Sequence, residues 1–103
     1  MTLATILIPA HTAVATIGRT LLHLSRGLSF SDFRIVVIAN ACSDATAAKA
    51  RSVMPEAVVL ETSTPGKCNA LNLGYREVDP GKPVICLDAD LDVTAESLMA
   101  LIR

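Results

Sequence analysis

The sequence predicts an α/β protein, with an open, mainly parallel sheet and helices on both of its faces. Four short apolar runs alternate with stretches of helical spacing, and no hairpin signal separates one run from the next. Strands that alternate with helices pair in parallel through right-handed crossovers. A chain of 103 residues has room for a single domain, residues 1–103.

The first strand and the first helix follow one another near the amino terminus. Leu3–Ile8 is an apolar run that Pro9 closes, which predicts a strand. Helical spacing then indicates a helix with an apolar face made of Val14, Ile17, Leu21, Leu24 and Leu28. Gly27 and Ser29 break this pattern.

A second strand followed by a second helix repeats this strand–helix pattern. Arg34–Ala39 is a continuous apolar run, which is typical of a strand buried on both faces. Asn40–Ser43 is predicted to be a turn, and Asp44 is a candidate N-cap for a helix over Ala45–Met54. Pro55 ends that helix.

Two further strands complete the pattern. Ala57–Leu60 predicts the third strand, and a helix over Lys67–Glu77 follows the polar loop Thr62–Gly66. Pro83–Leu87 predicts the fourth strand. A turn then follows, and Thr94 caps a last helix that runs to the chain end.

Charge and cysteine usage exclude several classes of protein. The net charge of −1 and the three aromatic residues provide neither a basic surface nor a stacking platform for nucleic acid. The three cysteines are odd in number and lack CxxC spacing, so we expect a reduced, cytoplasmic protein. The apolar amino terminus has no basic segment and is too short to span a bilayer.

Three polar turns are expected at the carboxyl edge of the sheet. They are Pro9–Ala13, Asn40–Asp44 and Asp88–Asp92, after the first, second and fourth strands. Ligands of open parallel sheets bind beyond this edge, where the strand order reverses. We therefore expect these turns to lie close together, with the first and fourth strands as neighbours.

Asp88 and Asp90 follow the fourth apolar run directly, and alternation places them on one side. Two neighbouring carboxylates repel each other, so such a pair tends to share a proton or to hold a cation. Mg²⁺ or Mn²⁺ bridging to a diphosphate is the natural occupant. The alternative is a solvated turn that caps the next helix.

Two smaller features each allow a binding role or a purely structural one. Lys67 stands at a helix start, where it can meet an anion or simply be solvated. A phosphate-binding GxxxxGK[ST] loop does not fit, because Glu61 and Cys68 occupy required positions, so an NTPase is only a weak competitor. His11 can contact a nucleobase or be an exposed loop residue.

Four segments in order, ILIPAH, RIVVIANACSDAT, PGKCNALNLG and VICLDADLDVT, resemble the N-terminal half of family 2 glycosyltransferases. The similarity runs from about Thr5 to Asp92. It implies a GT-A fold that binds a nucleoside-diphosphate sugar. Two departures from the family pattern remove polar contacts to base and ribose: His11-Thr12-Ala13 stands in place of an aromatic residue, Asn and Glu, and Ala39-Asn40 stands in place of two carboxylates.

The resemblance implies a set of site residues. Asp88 and Asp90 match the metal-binding DxD motif, with Mg²⁺ or Mn²⁺ as cofactor. The residues that this comparison and the edge turns nominate for the nucleotide sugar are Pro9, Ala10, His11, Asn40, Asp44, Lys67, Asn72 and Asp88.

The expected function is donor binding for glycosyl transfer to an unknown acceptor. Arg103 follows the DxD motif so closely that the acceptor site and catalytic base are expected beyond it, in a longer protein. Alternatives are a nucleotide-binding module without catalysis and, less favoured, a nucleotidyltransferase. A strand at the edge of the sheet offers unpaired backbone groups to a second copy of the chain, which predicts a homodimer. Membrane association is expected only through downstream segments.

Overall fold

A computed structural model of the chain describes residues 4–11, 14–25, 33–40, 45–63, 66–78 and 81–87. These residues form four strands and three α-helices in the predicted alternation. The elements are β1 (Ala4–Ala10), α1 (Val14–Ser25), β2 (Phe33–Asn40), α2 (Thr46–Val53), β3 (Val58–Thr62), α3 (Lys67–Gly74) and β4 (Val84–Cys86). A 3₁₀ turn, Tyr75–Glu77, extends α3. The predicted last helix lies outside the described residues.

The four strands form one parallel sheet in the order β3-β2-β1-β4. Ile6 in the middle of β1 pairs with Ile35 of β2 and with Ile85 of β4. The predicted parallel α/β architecture and the neighbouring positions of β1 and β4 are therefore confirmed. The chain adds β2 and β3 on one side of β1 and then returns to add β4 on the other.

Alternation along the strands divides the core between the two faces of the sheet. Ile6 and Ile8 of β1 pack with α1 and α2 on one face, whereas Leu7 packs with α3 on the other. The buried residues that α1 and α2 supply to the first face are Ile17, Leu21, Leu24 and Ala50, and Met54 joins them directly after α2. Continuous apolar strands are required here because helices cover both faces.

The sequence predicts that the first strand ends at Pro9. Instead, β1 continues through Pro9 to Ala10. Thr5 N–H donates to Pro83 O at 3.0 Å, and Leu87 N–H donates to Leu7 O at 2.9 Å. The odd-numbered residues of β1 therefore direct their backbone groups toward β4. Pro9 is the next of these residues, and its missing N–H leaves the pairing with β2 intact.

Asn40 is the last residue of β2 and not the first residue of a turn, which corrects the predicted turn. It pairs with Thr62, because β3 runs two residues beyond the predicted end at Leu60. Pairing with this edge strand keeps Asn40 extended and buried, with 4% of its surface exposed.

The predicted N-cap of α2 is also wrong by one residue. Ala45 is the N-cap, and its carbonyl accepts the first helical hydrogen bond from Lys49 N–H at 2.9 Å. The helix begins at Thr46, whose side chain is fully buried. Asp44 itself lies outside the described residues.

Thr5 presents a testable defect in the core. Its side chain is fully buried, and among the described residues its hydroxyl has no hydrogen-bond partner. A buried unsatisfied polar group costs about 1–3 kcal/mol. We therefore expect Thr5→Val, which replaces the hydroxyl by a methyl group, to raise the free energy of unfolding by about 1 kcal/mol in urea denaturation.

Thr20 provides the matched control for Thr5. It is equally buried, with 1% of its surface exposed, but it has an interaction partner. Thr20→Val is expected to leave stability unchanged or to lower it. A loss of stability in Thr5→Val would contradict the assignment of Thr5 as unsatisfied.

β4 is an edge strand within the described part of the chain, where no other strand pairs with its outer side. Val84 and Cys86 direct their backbone groups outward, since the odd-numbered residues of β4 bond to β1. Pairing of this edge with a second copy stays a prediction that sedimentation at micromolar concentration can test. None of the described helices is both long and apolar enough to cross a membrane.

Candidate functional site

The carboxyl ends of the four parallel strands define the candidate site. β1 ends at Ala10, β2 at Asn40 and β3 at Thr62, while Leu87 follows β4 at the same edge. The strand order reverses between β1 and β4, which is where ligands of open parallel sheets bind. The topology therefore brings the carboxyl ends of β1, β2 and β4 to one edge.

Within the described residues, the β1–β4 pairing extends to Leu87. Leu87 N–H still reaches Leu7 O, but Pro9 is the next residue of β1 that faces β4, and it has no N–H to donate. At the point where the strand order reverses, Pro9 therefore offers β4 only its carbonyl oxygen.

His11, which follows β1, contacts the end of β2. Its Nδ1 donates a hydrogen bond to the backbone carbonyl of Asn40 at 2.9 Å, across 29 residues of sequence. The imidazole is otherwise exposed, in contrast to the buried residues of β1 that precede it. The hydrogen bond therefore holds an exposed ring against the edge of the sheet.

Asn40 also contacts the start of α3. Its side-chain Nδ2 donates to the carbonyl oxygen of Gly66 at 3.4 Å. The same carbonyl accepts the first hydrogen bond of α3, from Ala70 N–H at 3.2 Å. Asn40 thus connects His11 to the helix start, and we call His11, Asn40 and Gly66 the edge triad.

Gly66 supplies the backbone conformation that this arrangement requires. Its φ of 106° and ψ of 134° lie in a region that side chains disfavour. As the N-cap residue, Gly66 has no side chain that could cap the first turn of α3. The start of α3 presents backbone N–H groups and the positive end of the helix dipole, which suits an anionic group.

The other predicted site residues are distributed as follows. Pro9 and Ala10 end β1, and Lys67 is the first residue of α3. Asn72 is exposed on α3, about 9 Å along the helix axis from Gly66. Outside the described residues lie Asp44, Asp88 and Asp90. Among the residues that the structure does describe, no group of three His, Cys, Asp or Glu could hold a metal ion.

Sequence reasoning missed the role of the Gly66 carbonyl. The Pro65-Gly66 pair indicates a turn, but it does not reveal that this carbonyl meets the side chain of Asn40, 26 residues away. The local signal that was available is the glycine before a lysine at a helix start.

Solved structures with the same fold are similar to this chain over most of its length. S. aureus TarS matches with a TM-score of 0.79 and 17% identity, covering 95% of this chain and 18% of that chain. A structure of TarS 1-349 in complex with UDP-GlcNAc matches with a TM-score of 0.75 and 19% identity, covering 95% of this chain and 29% of that one.

Glucosyl-3-phosphoglycerate synthase from Mycobacterium tuberculosis, in complex with Mn²⁺, UDP and phosphoglyceric acid, has the same architecture. Its TM-score is 0.73 at 21% identity, covering 89% of this chain and 34% of that chain. Identities this low show a common fold. This chain spans about a third or less of the length of the chains in these three structures.

Sequence comparisons agree with the fold. No curated protein matches the sequence significantly. The family model described as Glycosyl transferase family 2 matches residues 5–103, nearly the whole chain. The predicted GT-A fold and the family resemblance are both confirmed, and the chain belongs to glycosyl transferase family 2.

Proposed function

We propose that this chain is the donor-binding region of a glycosyltransferase and holds a nucleoside-diphosphate sugar at the carboxyl edge of its sheet. The observation that carries this proposal is the edge triad. It joins the turn after β1 to the start of α3, beside the point where the strand order reverses.

The two ends of the edge triad suit different parts of such a donor. His11 presents an exposed imidazole, which can hydrogen-bond or stack with a nucleoside. The start of α3, with Lys67 as its first residue, suits the negatively charged diphosphate. The similar structures that contain UDP or UDP-GlcNAc support a nucleotide-sugar ligand.

The two carboxylates of Asp88 and Asp90 are of a kind that would suit a divalent metal ion. Asp88 comes directly after Leu87, whose N–H is bonded to Leu7 at the carboxyl end of the β1–β4 ladder. Asp88 and Asp90 would supply carboxylate oxygens, the ligands that Mg²⁺ and Mn²⁺ prefer. A bound metal would neutralise negative charge on the leaving diphosphate. The similar synthase structures with Mn²⁺ or Mg²⁺ and UDP support this assignment.

The part of this chain in glycosyl transfer is therefore binding and orientation. The edge triad fixes the position of the nucleoside-binding end of the site relative to its diphosphate-binding end, because Asn40 is hydrogen-bonded to both His11 and Gly66. Ordering the donor before reaction lowers the entropic cost of the transfer step. Sugar transfer to an acceptor and a cytoplasmic location are part of the same proposal.

A ligand panel tests the proposal. The melting temperature of the chain should be measured with UDP, GDP, ADP and CDP, each with and without Mn²⁺. At 100 times Kd, a ligand of the native state contributes about 2.7 kcal/mol, which corresponds to about 10 °C or more in a domain of this size. We expect such a shift for at least one diphosphate, and only in the presence of Mn²⁺.

The nucleoside without phosphates serves as the control for this panel. Uridine and Mn²⁺ together should shift the melting temperature far less than UDP and Mn²⁺, because they lack the diphosphate that the metal and the start of α3 would bind. Equal melting temperatures with every diphosphate, with or without metal, would contradict the proposed function.

A further inference from the structure

The hydrogen bond between His11 and Asn40 determines which nitrogen of the ring carries the proton. A backbone carbonyl can only accept, so the proton in the 2.9 Å contact lies on Nδ1. In the neutral imidazole the other nitrogen, Nε2, is then an acceptor. The end of β2 thus selects one tautomer of an exposed ring at the candidate site.

An acceptor at this position can recognise only some parts of a nucleotide sugar. Phosphate oxygens are themselves acceptors and cannot bond to the Nε2 lone pair. A ring N–H of a nucleobase or a ribose hydroxyl can donate to it. The neutral His11 ring is therefore suited to the nucleoside and unsuited to the diphosphate.

We propose that His11 is a specificity-determining residue that accepts, through Nε2, a hydrogen bond from a donor group of the nucleoside. Asn40 acts as its positioning residue, because the Asn40 carbonyl holds the proton on Nδ1. This inference rests on the proposed function. It adds a chemical criterion, since a nucleotide without that donor group leaves the acceptor unpaired.

His11→Asn separates the two roles of the ring. The asparagine amide can still donate to the Asn40 carbonyl from near the position of Nδ1, but it has no acceptor in place of Nε2. His23→Asn is the matched control, because His23 lies within α1 and not at the carboxyl edge.

The experiment is a comparison of ligand affinities by calorimetry with Mn²⁺ at constant pH. The probes are UDP, its N3-methyl analogue, which lacks the ring N–H, and its 2′-deoxy and 3′-deoxy analogues, which each lack one ribose hydroxyl. Each probe is measured with the parent chain, with His11→Asn and with His23→Asn. The pairs of variant and analogue form thermodynamic cycles that isolate one contact.

We expect the parent chain and His23→Asn to bind UDP about three to ten times more tightly than one of the three analogues. His11→Asn should bind UDP and that analogue with equal affinity. Loss of discrimination against the N3-methyl analogue assigns the contact to the base, and loss against a deoxy analogue assigns it to the ribose.

Other outcomes overturn the inference. If His11→Asn weakens UDP and all analogues by one common factor, or weakens none of them, Nε2 does not recognise the nucleoside. Absence of UDP binding to the parent chain overturns it as well. The proposed function fails with it only if GDP, ADP and CDP also do not bind.

Discussion

Asp88→Asn is expected to weaken binding of a nucleoside diphosphate in the presence of Mn²⁺ by about 100-fold or more. Loss of a residue that merely supports a metal ligand costs about 10–100-fold, and loss of a ligand should cost at least as much. Asp90→Asn should have a comparable effect, because the proposed metal site uses both carboxylates. Calorimetry with UDP and Mn²⁺ measures the change.

Folding should not account for this loss. Asp88 and Asp90 are close in sequence and of like charge, so neutralising one of them removes repulsion when no metal is bound. We therefore expect both variants to melt, without metal, at the temperature of the parent chain or slightly above it. Weaker binding together with an unchanged melting temperature is the signature of a lost ligand.

Glu56→Gln is the matched control for the aspartate variants. Glu56 is an exposed carboxylate between α2 and β3, at the opposite edge of the sheet. Its replacement by an amide should change neither UDP affinity nor its dependence on Mn²⁺. Equal binding by the parent chain, Asp88→Asn and Asp90→Asn would show that the two aspartates are only structural.

Gly66→Ala is expected to lower both stability and nucleotide affinity. A side chain at a φ of 106° is strained by about 1–3 kcal/mol, although the added Cβ would meet only Asn69 Nδ2 at an ordinary 3.5 Å. The strain is relieved if the backbone rotates, which moves the carbonyl that accepts from both Asn40 and Ala70. We expect a melting temperature lower by about 5 °C or more and an affinity for UDP lower by about tenfold.

Gly81→Ala separates strain from function. Gly81 also has a positive φ, 79°, an added Cβ there would meet no described atom within 4 Å, and the residue precedes β4 at the opposite edge of the sheet. The variant should lose stability but bind UDP as the parent chain does. If the two variants lose affinity equally, the conformation of Gly66 has no specific part in the site.

Much of the fold follows from local patterns in the sequence. Continuous apolar runs that alternate with helical spacing leave few arrangements other than a parallel sheet covered by helices. The neighbouring positions of β1 and β4 follow as well, since right-handed crossovers and the switch-point rule place these two strands side by side. Each of these signals depends on residues that are near one another in the chain.

The ends of the elements depend on contacts that a local pattern does not contain. Proline is a reasonable strand terminator, yet Pro9 is tolerated because its nitrogen faces β4 and is not needed for the pairing of β1 with β2. Asn40 resembles a turn residue, yet it stays extended because it pairs with Thr62 of β3. In both cases the outcome depends on a neighbouring strand.

The sequence by itself determined the α/β class, the family and the neighbouring positions of β1 and β4. Only the tertiary structure decided that His11, Asn40 and Gly66 form one hydrogen-bonded group, because their contacts join residues 26 and 29 positions apart. Such contacts depend on strand register and on the placement of α3 over the sheet. Periodicity predicts the face on which a side chain lies, but the partner it meets there is set by how the packed elements align.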